Sequence, residues 1–507
     1  MLTTITCGSL IGVHAAEVKV EVDLAMGLPA FAIVGLPEGA VRESKVRVLA
    51  ALGNVGYAAP PRKITVNLAP ADLKKSGAAF DLSIALGVIA AAGMIEPYKF
   101  KETMIVGELG LDGSCRPVPG ALPYVLMAKK LGFKSLMIPY SNASEAAVIE
   151  EVTVLGVKNL EDAVMHFTGE EYIEPCPVTD IHAENIKLDV DLSEVRGQEN
   201  AKRAIEIAAA GSHNILMIGP PGSGKTMLAK RLATILPPLS FGEMLEVSAA
   251  HSVLGLTSAD VPLVTSRPFR SPHHTVSDAG LVGGSNPPKP GEVSLAHNGI
   301  LFLDELPEFK RNVLEVLREP LEEGEITISR ASGRSTFPAS FSLVASMNPC
   351  PCGYYGTNER PCTCNPAAVE RYRGKISGPL LDRIDIHIEV PSVRVKDLTA
   401  KPTAESSEDV MKRVLKARQK QHERFGKDLD KTNGEMTLKD IEKYCQLDES
   451  SRQLIERAIE KLGLSARAYS RILKVSRTIA DLEDEDRIAV NHVAEAIGYR
   501  SLDRKGI

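Results

Sequence analysis

The chain has 507 residues, of which 44% are apolar and 24% charged, and its net charge is −6. This length predicts about three domains with hydrophobic cores of their own. The charge excludes a protein that is basic throughout, so a nucleic acid would have to bind at local patches. The chain has no Trp and few other aromatic residues, which argues against broad surfaces for base stacking.

We expect a cytoplasmic protein, because the sequence shows neither a secretory signal nor a membrane-spanning stretch and because of its cysteine usage. A secretory signal combines a basic segment with an apolar run that follows it, and the first residues lack this combination. The longest apolar stretch, residues 82–95, is too short to span a bilayer. Eight cysteines, four of them clustered, are typical of a metal site and not of a disulfide framework. We therefore expect no membrane partner.

Residues 1–168 are predicted to form a first α/β domain. Apolar and polar residues alternate in residues 18–22, as in a half-buried strand. Residues 80–92 indicate a helix, and a further strand is expected within residues 104–114. The acidic, proline-containing residues 169–191 that follow this domain are typical of a linker.

This first domain resembles the Lon-type proteolytic fold, a relative of the ribosomal S5 domain-2-like fold. The resemblance rests on residues 107–120, which begin Gly-Glu-Leu-Gly-Leu-Asp-Gly, and on the Lys75-Ser-Gly-Ala-Ala-Phe-Asp81 segment. Lon proteases use a Ser–Lys dyad, but the serine position is Ala79 and the lysine position falls near Tyr124. Neither side chain supplies the nucleophile or base, and Ser76 and the adjacent lysines are in the wrong register. The resemblance therefore implies a non-proteolytic domain that serves as a scaffold or contacts DNA.

A phosphate-binding loop follows near the start of the second domain. The apolar strand 215–218 precedes a glycine-rich turn, and residues 227–233 continue as a helix. The turn and the two residues after it are Gly219, Pro220, Pro221, Gly222, Ser223, Gly224, Lys225 and Thr226. Backbone N–H groups of such a turn surround phosphate oxygens at a helix N-terminus, so the segment predicts ATP binding. Lys225 is expected at the β- and γ-phosphates and Thr226 on Mg²⁺. The flanking strand and helix disfavour a chance glycine turn.

A long insert then covers residues 253–292. It is rich in Pro and Gly and contains Arg267, Arg270, His273 and His274. Because a loop of this length inside a domain is usually functional, we expect these side chains to contact phosphate or the edge of the nucleotide. Metal binding by the two histidines is the alternative, which is disfavoured because no cysteine lies near them.

Two later strands end in the polar residues that hydrolysis requires. Residues 299–303 are apolar and lead to Asp304, predicted to hold Mg²⁺, and to Glu305, predicted to orient and deprotonate the attacking water. Residues 341–347 lead to Asn348, a candidate sensor of the γ-phosphate or of that water. An ordinary asparagine at a strand end is the alternative.

Residues 322–338, between these two strands, are predicted to form a β-hairpin with Gly333 in its turn. Arg330 and Arg334 flank the tip. Repeated around a ring, two arginines per subunit would form a cationic collar that follows DNA phosphates. A solvated hairpin tip without a partner is the alternative.

A cluster of four cysteines follows Asn348. Cys350 and Cys352 form one pair, and Cys362 and Cys364 form the other. Four thiolates at such spacings can bind Zn²⁺ tetrahedrally and hold a loop in place. Free or redox-active thiols are the alternative, because Cys-x-Cys pairs are less diagnostic than Cys-x-x-Cys pairs.

Two arginines are candidates for stabilising charge on the transferred phosphoryl group. Arg383 resembles an arginine finger, which acts in trans on the nucleotide of a neighbouring subunit; a surface salt bridge with Asp382 or Asp385 is the alternative. The helical pattern of residues 405–507 resembles the lid of AAA+ proteins. In that plan Arg467 would act in cis as a second sensor, with Arg471 as the fallback.

The order of these motifs resembles the magnesium-chelatase and MCM branch of AAA+ proteins, with the ATPase core at residues 192–395 and the lid at residues 405–507. Together with the Lon-like domain, the chain resembles the YifB/ComM family over nearly its whole length. The resemblance implies an ATP- and Mg²⁺-dependent homohexameric ring that drives branch migration of DNA during natural transformation. A chelatase-like or protein-remodelling motor is the alternative, and an ATP-dependent protease is disfavoured by Ala79.

Overall fold

The structure is a computed structural model of the chain. It describes residues 2–75, 77–179, 181, 190–258, 260–330, 333–357, 360–393, 405–426, 431–463 and 465–500. Ser76, the hairpin tip at residues 331–332, and residues 180 and 182–189 of the predicted linker lie outside the described residues.

The described part of the first domain contains a four-stranded sheet, a three-stranded sheet and a two-stranded ribbon. The strands of the first are β1 Leu2–Ile11, β2 His14–Ala25, β3 Ala30–Val34 and β4 Lys63–Ala69, in the order β1-β2-β4-β3, with only β3 and β4 parallel. The others are β5 Thr103–Ile105, β6 Glu108–Leu109, β7 Cys115–Arg116, β8 Ser135–Pro139 and β9 Thr153–Val157. Strands β5, β8 and β9 form a parallel sheet, and β6 pairs with β7. The helices are Gly39–Asn54, Asp81–Ala91, Ala121–Leu131, Ala143–Ala146 and Leu160–Thr168.

The helix Asp81–Ala91 forms the centre of this domain. Every residue in it is buried, as expected of a helix that is apolar on all sides, and it packs against β1, β2 and the helix Gly39–Asn54. The alternation predicted at residues 18–22 is confirmed, because Val18, Val20 and Val22 are buried on one face of β2.

The second domain contains a parallel sheet of five strands. These are β10 Ile215–Ile218, β11 Phe269–Arg270, β14 Ile300–Leu303, β17 Ser342–Met347 and β18 Ile386–Glu389, in the order β11-β14-β17-β10-β18. Two ribbons lie outside it: β12 Gly283–Gly284 with β13 Lys289–Pro290, and β15 Glu325–Arg330 with β16 Gly333–Pro338. Its helices are Glu199–Gly211, Lys225–Leu232, Phe241–Val253, Asp278–Val282, Glu292–Leu295, Arg311–Glu315, Arg318–Glu323, Pro366–Arg373 and Gly378–Leu381.

The described C-terminal region is helical. Its helices are Ser407–Phe425, Leu438–Tyr444, Glu449–Leu462, Ala466–Leu482 and Val490–Gly498, which confirms the helical pattern predicted there. The first and fourth pack on the helix Glu199–Gly211 of the second domain.

The first domain also contacts the second: the helix Ala121–Leu131 packs on Phe241–Val253, and the buried Glu145 accepts a hydrogen bond from Ser252 Oγ.

A buried carboxylate joins the C-terminal helices to the central sheet. Asp385, just before β18, accepts hydrogen bonds from His213 Nδ1 and the Asn214 N–H, each at 3.2 Å, and Arg471 Nη1 lies 3.0 Å from its Oδ1. Burial alone would raise the pKa of Asp385, but Arg471, His213 and Lys474 outweigh it and hold that pKa well below the usual range. Because the folded pKa is depressed, this contribution to stability is present above the unfolded pKa of about 3.9 and is lost as the pH falls below it.

Asp385→Ala is expected to lower the free energy of unfolding by about 3–5 kcal/mol at pH 7, because it leaves the charges of Arg471 and Lys474 buried without their partner. The measurement is the urea midpoint, and the loss should shrink as the pH falls towards 3. Asp486→Ala is the control, since Asp486 is 99% exposed and its removal should cost less than about 0.5 kcal/mol. If the two variants have equal urea midpoints, the contacts of Asp385 do not stabilise the packing of the C-terminal helices on the sheet.

Candidate nucleotide-binding site

The predicted nucleotide-binding segments meet at one edge of the five-stranded sheet. Strands β10, β14 and β17 are adjacent and parallel, with Ile218 opposite Met347 and Leu303 opposite Ala345. The carboxyl ends of parallel strands share an edge, where open α/β sheets bind ligands. The phosphate-binding loop, Asp304 and Asn348 are therefore neighbours, as the sequence predicted.

The phosphate-binding loop takes the conformation that its glycines allow. Gly222 and Gly224 have φ of +77° and +90°, and a Cβ on Gly219 would collide with the Val390 carbonyl oxygen. Lys225 Nζ donates hydrogen bonds to the Gly219 oxygen at 2.7 Å and to Asn348 Oδ1 at 3.3 Å. Burial lowers the pKa of Lys225, although two nearby carboxylates oppose the shift. The ammonium thus lies between the loop and the predicted sensor.

Thr226 and Asp304 have the relative position that a Mg²⁺ site needs. Thr226 Oγ1 donates a hydrogen bond to Asp304 Oδ2 at 3.0 Å, so one oxygen from the helix and one from the strand end are already adjacent. Ser346 Oγ donates to the other oxygen of Asp304 and fixes the orientation of the carboxylate. Sequence reasoning missed Ser346, although it is a polar residue two positions before Asn348 in a fully buried strand.

Glu305 has a strained backbone and an accessible carboxylate. Its φ of +54° is in the left-handed region, which is unusual for a residue other than glycine and is typical of functional sites. Its N–H donates to Asp304 Oδ1 at 3.0 Å, while its side chain is 55% exposed. The carboxylate of Glu305 is therefore accessible to solvent, next in sequence to Asp304.

The insert reaches this site through one histidine. His274 Nδ1 lies 3.7 Å from Glu305 Oε2, and its ring lies 4.1 Å from that of His273. By contrast, Arg267 and Arg270 form ion pairs with Glu243 and Glu292. The ion pair of Arg267 reaches outside the insert to the helix Phe241–Val253, whereas that of Arg270 ends at Glu292, the last residue of the insert.

Gln198 is a further residue that sequence reasoning missed. Its Nε2 donates to the Ser223 carbonyl at 2.9 Å and to the Pro391 carbonyl at 2.8 Å, so it joins the phosphate-binding loop to the end of β18. Its Oε1 is buried without a hydrogen-bond partner among the described residues. The only signal in the sequence was its place just before the helix Glu199–Gly211.

Arg383 lies at the opposite edge of the sheet. It precedes β18, its carbonyl accepts a hydrogen bond from Asn214 Nδ2 at 3.0 Å, and Asn214 immediately precedes β10. Since β10 has four residues, about 13 Å of strand separates this edge from the phosphate-binding loop. Arg383 is 5% exposed and pairs with Glu322, so the alternative of a surface salt bridge with Asp382 or Asp385 is wrong.

Arg467 lies beside Arg383 and not beside the phosphate-binding loop. Its Nη1 is 3.5 Å from Asp382 Oδ2, and the side chain is 61% exposed. The fallback, Arg471, is held by Asp385 at the same edge. We expected Arg467 to act in cis, but its position next to Asp382 is at the far edge of the sheet from the nucleotide of its own subunit. The expectation that Arg467 acts in cis is therefore corrected, because the helix Ala466–Leu482 brings this residue to Asp382.

The β-hairpin predicted between β14 and β17 is present. Its strands β15 and β16 pair in register, with Ser329 opposite Arg334 and Arg330 opposite Gly333. Gly333 is thus the first residue of β16 and does not lie in the middle of the turn. Both arginines are exposed, so the hairpin presents them near its tip.

The four clustered cysteines lie together. All four sulfur atoms are within 4.8 Å of one another; Cys350 Sγ is 3.3 Å from Cys352 Sγ and 3.7 Å from Cys362 Sγ. Backbone N–H groups of Tyr354 and Thr363 lower the pKa of the Cys352 thiol to about 5. These thiols are the one group of three or more metal-ligand side chains found among the described residues.

Ala79 and Tyr124, the two positions aligned with the Lon dyad, both lie close to strand β1. Cys7 Sγ lies 3.6 Å from the Ala79 carbonyl, and a Cβ on Gly8 would lie 2.7 Å from the ring of Tyr124. Burial raises the pKa of the Cys7 thiol to about 12, which makes it a poor nucleophile. Lys75 is buried and donates to the Pro70 carbonyl.

The fold and the site define an AAA+-type α/β protein of the magnesium-chelatase class. Family models match three parts of the chain: magnesium chelatase, subunit ChlI, at residues 191–398; subunit ChlI of Mg-chelatase at residues 20–142; and the ChlI C-terminal model at residues 404–500. Membership of this class implies ATP and Mg²⁺ as cofactors.

The chain belongs to the YifB/ComM family of magnesium-chelatase-like proteins. It is 46% identical to competence protein ComM of Haemophilus influenzae, over 97% of this chain and 96% of that protein. It is 44% identical to YifB of Escherichia coli, an uncharacterized protein, over 99% and 98% of the two chains. It is also 26% identical to the magnesium-chelatase 38 kDa subunit of Cereibacter sphaeroides, over 41% of this chain and 61% of that subunit.

Among the helices that the structure describes, none combines the length and the apolar character needed to cross a bilayer.

Proposed function

We propose that the protein is a cytoplasmic, ATP-hydrolysing ring motor that acts on branched or single-stranded DNA, with branch migration in recombination or transformation as its activity. The observation that carries the proposal is the division of the catalytic residues between two edges of one sheet. The phosphate-binding residues lie at the carboxyl edge, and Arg383 and Arg467 lie at the amino edge. Such a subunit completes its site only in a closed head-to-tail assembly, for which we propose a homohexamer.

Each residue has a distinct part in the proposed hydrolysis. Mg²⁺, when held by Thr226 and Asp304, would neutralise charge on the β- and γ-phosphates. Lys225 leaves its contact with the Gly219 oxygen and binds the phosphate oxygens. Glu305 accepts the proton of the attacking water, which Asn348 orients.

The arginines of the neighbouring subunit complete the reaction centre. Arg383 supplies positive charge to the transferred phosphoryl group, for which it must exchange its pairing with Glu322 for the phosphate. Burial lowers the pKa of Arg383, but a guanidinium stays charged at neutral pH. Arg467, exposed beside it, acts in trans as the second sensor.

The other two domains support this motor. We propose that residues 1–168 are the non-proteolytic Lon-like domain, because Ala79 and Tyr124 provide no dyad, and that residues 405–507 are the AAA+ lid. The boundaries of the ATPase core, 192–395, include both catalytic edges.

The hairpin supplies the proposed contact with DNA. Arg330 and Arg334 are exposed on adjacent strands, so in a ring they would form a collar of guanidinium groups that binds phosphates without reading bases. Contacts of this kind release counterions, and binding should weaken as the salt concentration rises.

Arg330→Ala together with Arg334→Ala is expected to abolish the stimulation of the ATPase by four-way DNA and to reduce the salt dependence of DNA binding, because the phosphate contacts are lost. ATP turnover with and without four-way DNA measures the effect. Arg487→Ala, which removes an exposed arginine of the C-terminal helical region, should leave the stimulation unchanged. If the double variant responds to DNA as the wild type does, the hairpin does not bind DNA.

The second candidate is a chelatase-like or protein-remodelling ATPase that does not act on DNA. The similarity to a magnesium-chelatase subunit favours it. The two candidates differ in one observation, since only the DNA motor predicts that branched DNA raises ATP turnover.

Digestion of casein with ATP tests the protease, for which Ala79 and the inert Cys7 provide no nucleophile.

A further inference from the structure

The cysteine cluster has the dimensions of a mononuclear tetrathiolate site. A zinc ion 2.3 Å from each of four tetrahedral sulfurs separates them by about 3.8 Å, and three of the sulfur pairs are 3.3, 3.7 and 3.5 Å apart. A disulfide would need about 2.05 Å. The N–H groups of Tyr355 and Cys364 point at the sulfurs of Cys350 and Cys362 at 3.3 and 3.4 Å, an arrangement that stabilises thiolates.

The loop that carries the cysteines packs directly on the phosphate-binding loop. Gly353 has a φ of +87°, and a Cβ on it would lie 2.6 Å from Pro221 Cδ. The same loop begins at the predicted sensor, since Cys350 is two residues after Asn348. Arg373 also holds this loop in place. Its Nε donates a hydrogen bond to the Pro349 carbonyl at 3.1 Å, and its guanidinium lies over the ring of Tyr355.

We propose that Cys350, Cys352, Cys362 and Cys364 bind one Zn²⁺ ion, and that this ion holds residues 349–357 and 360–365 in place, with Gly353 against Pro221, so that the phosphate-binding loop and Asn348 keep their positions. The ion is structural, because four sulfurs leave no open position for a substrate. Its binding releases the thiol protons to solvent. The inference rests on the proposed function only in that the loop at residues 219–226 binds ATP.

This arrangement makes ATP binding depend on the state of the cysteines. Loss of the ion, or oxidation of the thiols in pairs to disulfides by a peroxide, would contract or release the loop. Gly353 would then no longer support Pro221, and Asn348 would lose its fixed place beside Lys225. Nucleotide affinity is therefore expected to fall before the protein unfolds.

Metal analysis of the full-length protein, purified without chelators, tests the site itself. Mass spectrometry of the metal content should find one zinc per chain, and Cys350→Ser with Cys362→Ser should abolish it. Cys176→Ser, outside the cluster, should retain the zinc. A wild-type protein without zinc, or one with iron and its visible absorption, would overturn the proposal.

Two glycines of the same loop test its support of the ATP site. Gly353→Ala should retain zinc yet weaken the binding of a fluorescent ATP analogue about tenfold, since the added methyl overpacks the contact with Pro221. Gly356→Ala is the matched control: Gly356 also has a positive φ, +75°, but a Cβ there meets nothing within 4 Å. Equal affinities of the two variants would overturn the supporting role. Both readouts are independent of DNA, so their failure is distinguishable from failure of the motor.

Discussion

Glu305→Gln is expected to lower ATP turnover by about 10²–10⁴-fold, the usual worth of a general base, while ATP binding and assembly persist. An amide cannot accept the proton of the attacking water, but it retains the size of the carboxylate and the strained backbone that aims it. Steady-state phosphate release measures the loss, and binding of a fluorescent ATP analogue measures what persists.

A carboxylate close in sequence provides the control for this variant. Glu308→Gln removes a charge three residues away that pairs with Lys375 at 3.3 Å and should change turnover less than about twofold, as expected of a surface ion pair. If Glu305→Gln hydrolyses ATP at the wild-type rate, Glu305 is not the base and the orientation of its carboxylate has another purpose.

Arg383→Ala is expected to lower turnover by about 10³-fold or more, the range found for arginine fingers, with little change in ATP binding. The reason is positional: the backbone of Arg383 lies about 13 Å of strand away from the phosphate-binding loop of its own subunit, and its guanidinium pairs with Glu322, so we expect it to stabilise the transition state of a neighbour. Arg487→Ala is again the control. Loss of ATP binding in the Arg383 variant would show that the residue maintains the fold through Glu322 instead.

The phosphate-binding edge could be predicted from sequence because each part is local. A strand of apolar residues must be buried, and its polar end must lie at the sheet edge, so Lys225, Asp304 and Asn348 converge once the strands are parallel. Ser346 and Gln198 could not be found this way. Their roles depend on which strands are neighbours and on the distant carbonyl of Pro391, neither of which a single segment reveals.

The position of Arg467 could not be read from the sequence for a similar reason. Its place at the start of a helix is a local fact, but the surroundings of that helix depend on contacts between distant segments, such as the pair of Asp385 and Arg471. A related error occurred at residues 104–114, expected as one strand. The chain leaves the sheet after Ile105 because Gly107 donates a hydrogen bond to the Ala79 carbonyl and accepts one from Leu82.

Mixing two inactive variants tests the division of the catalytic site most directly. Lys225→Ala keeps Arg383 but has lost its phosphate contact, whereas Arg383→Ala keeps a complete carboxyl edge. In an equimolar mixture of subunits, about a quarter of the head-to-tail interfaces join two intact halves, so ATP turnover should rise well above that of either variant alone. A mixture that assembles but stays as inactive as its components would contradict the account, as would an Arg383→Ala protein that hydrolyses ATP at full rate by itself.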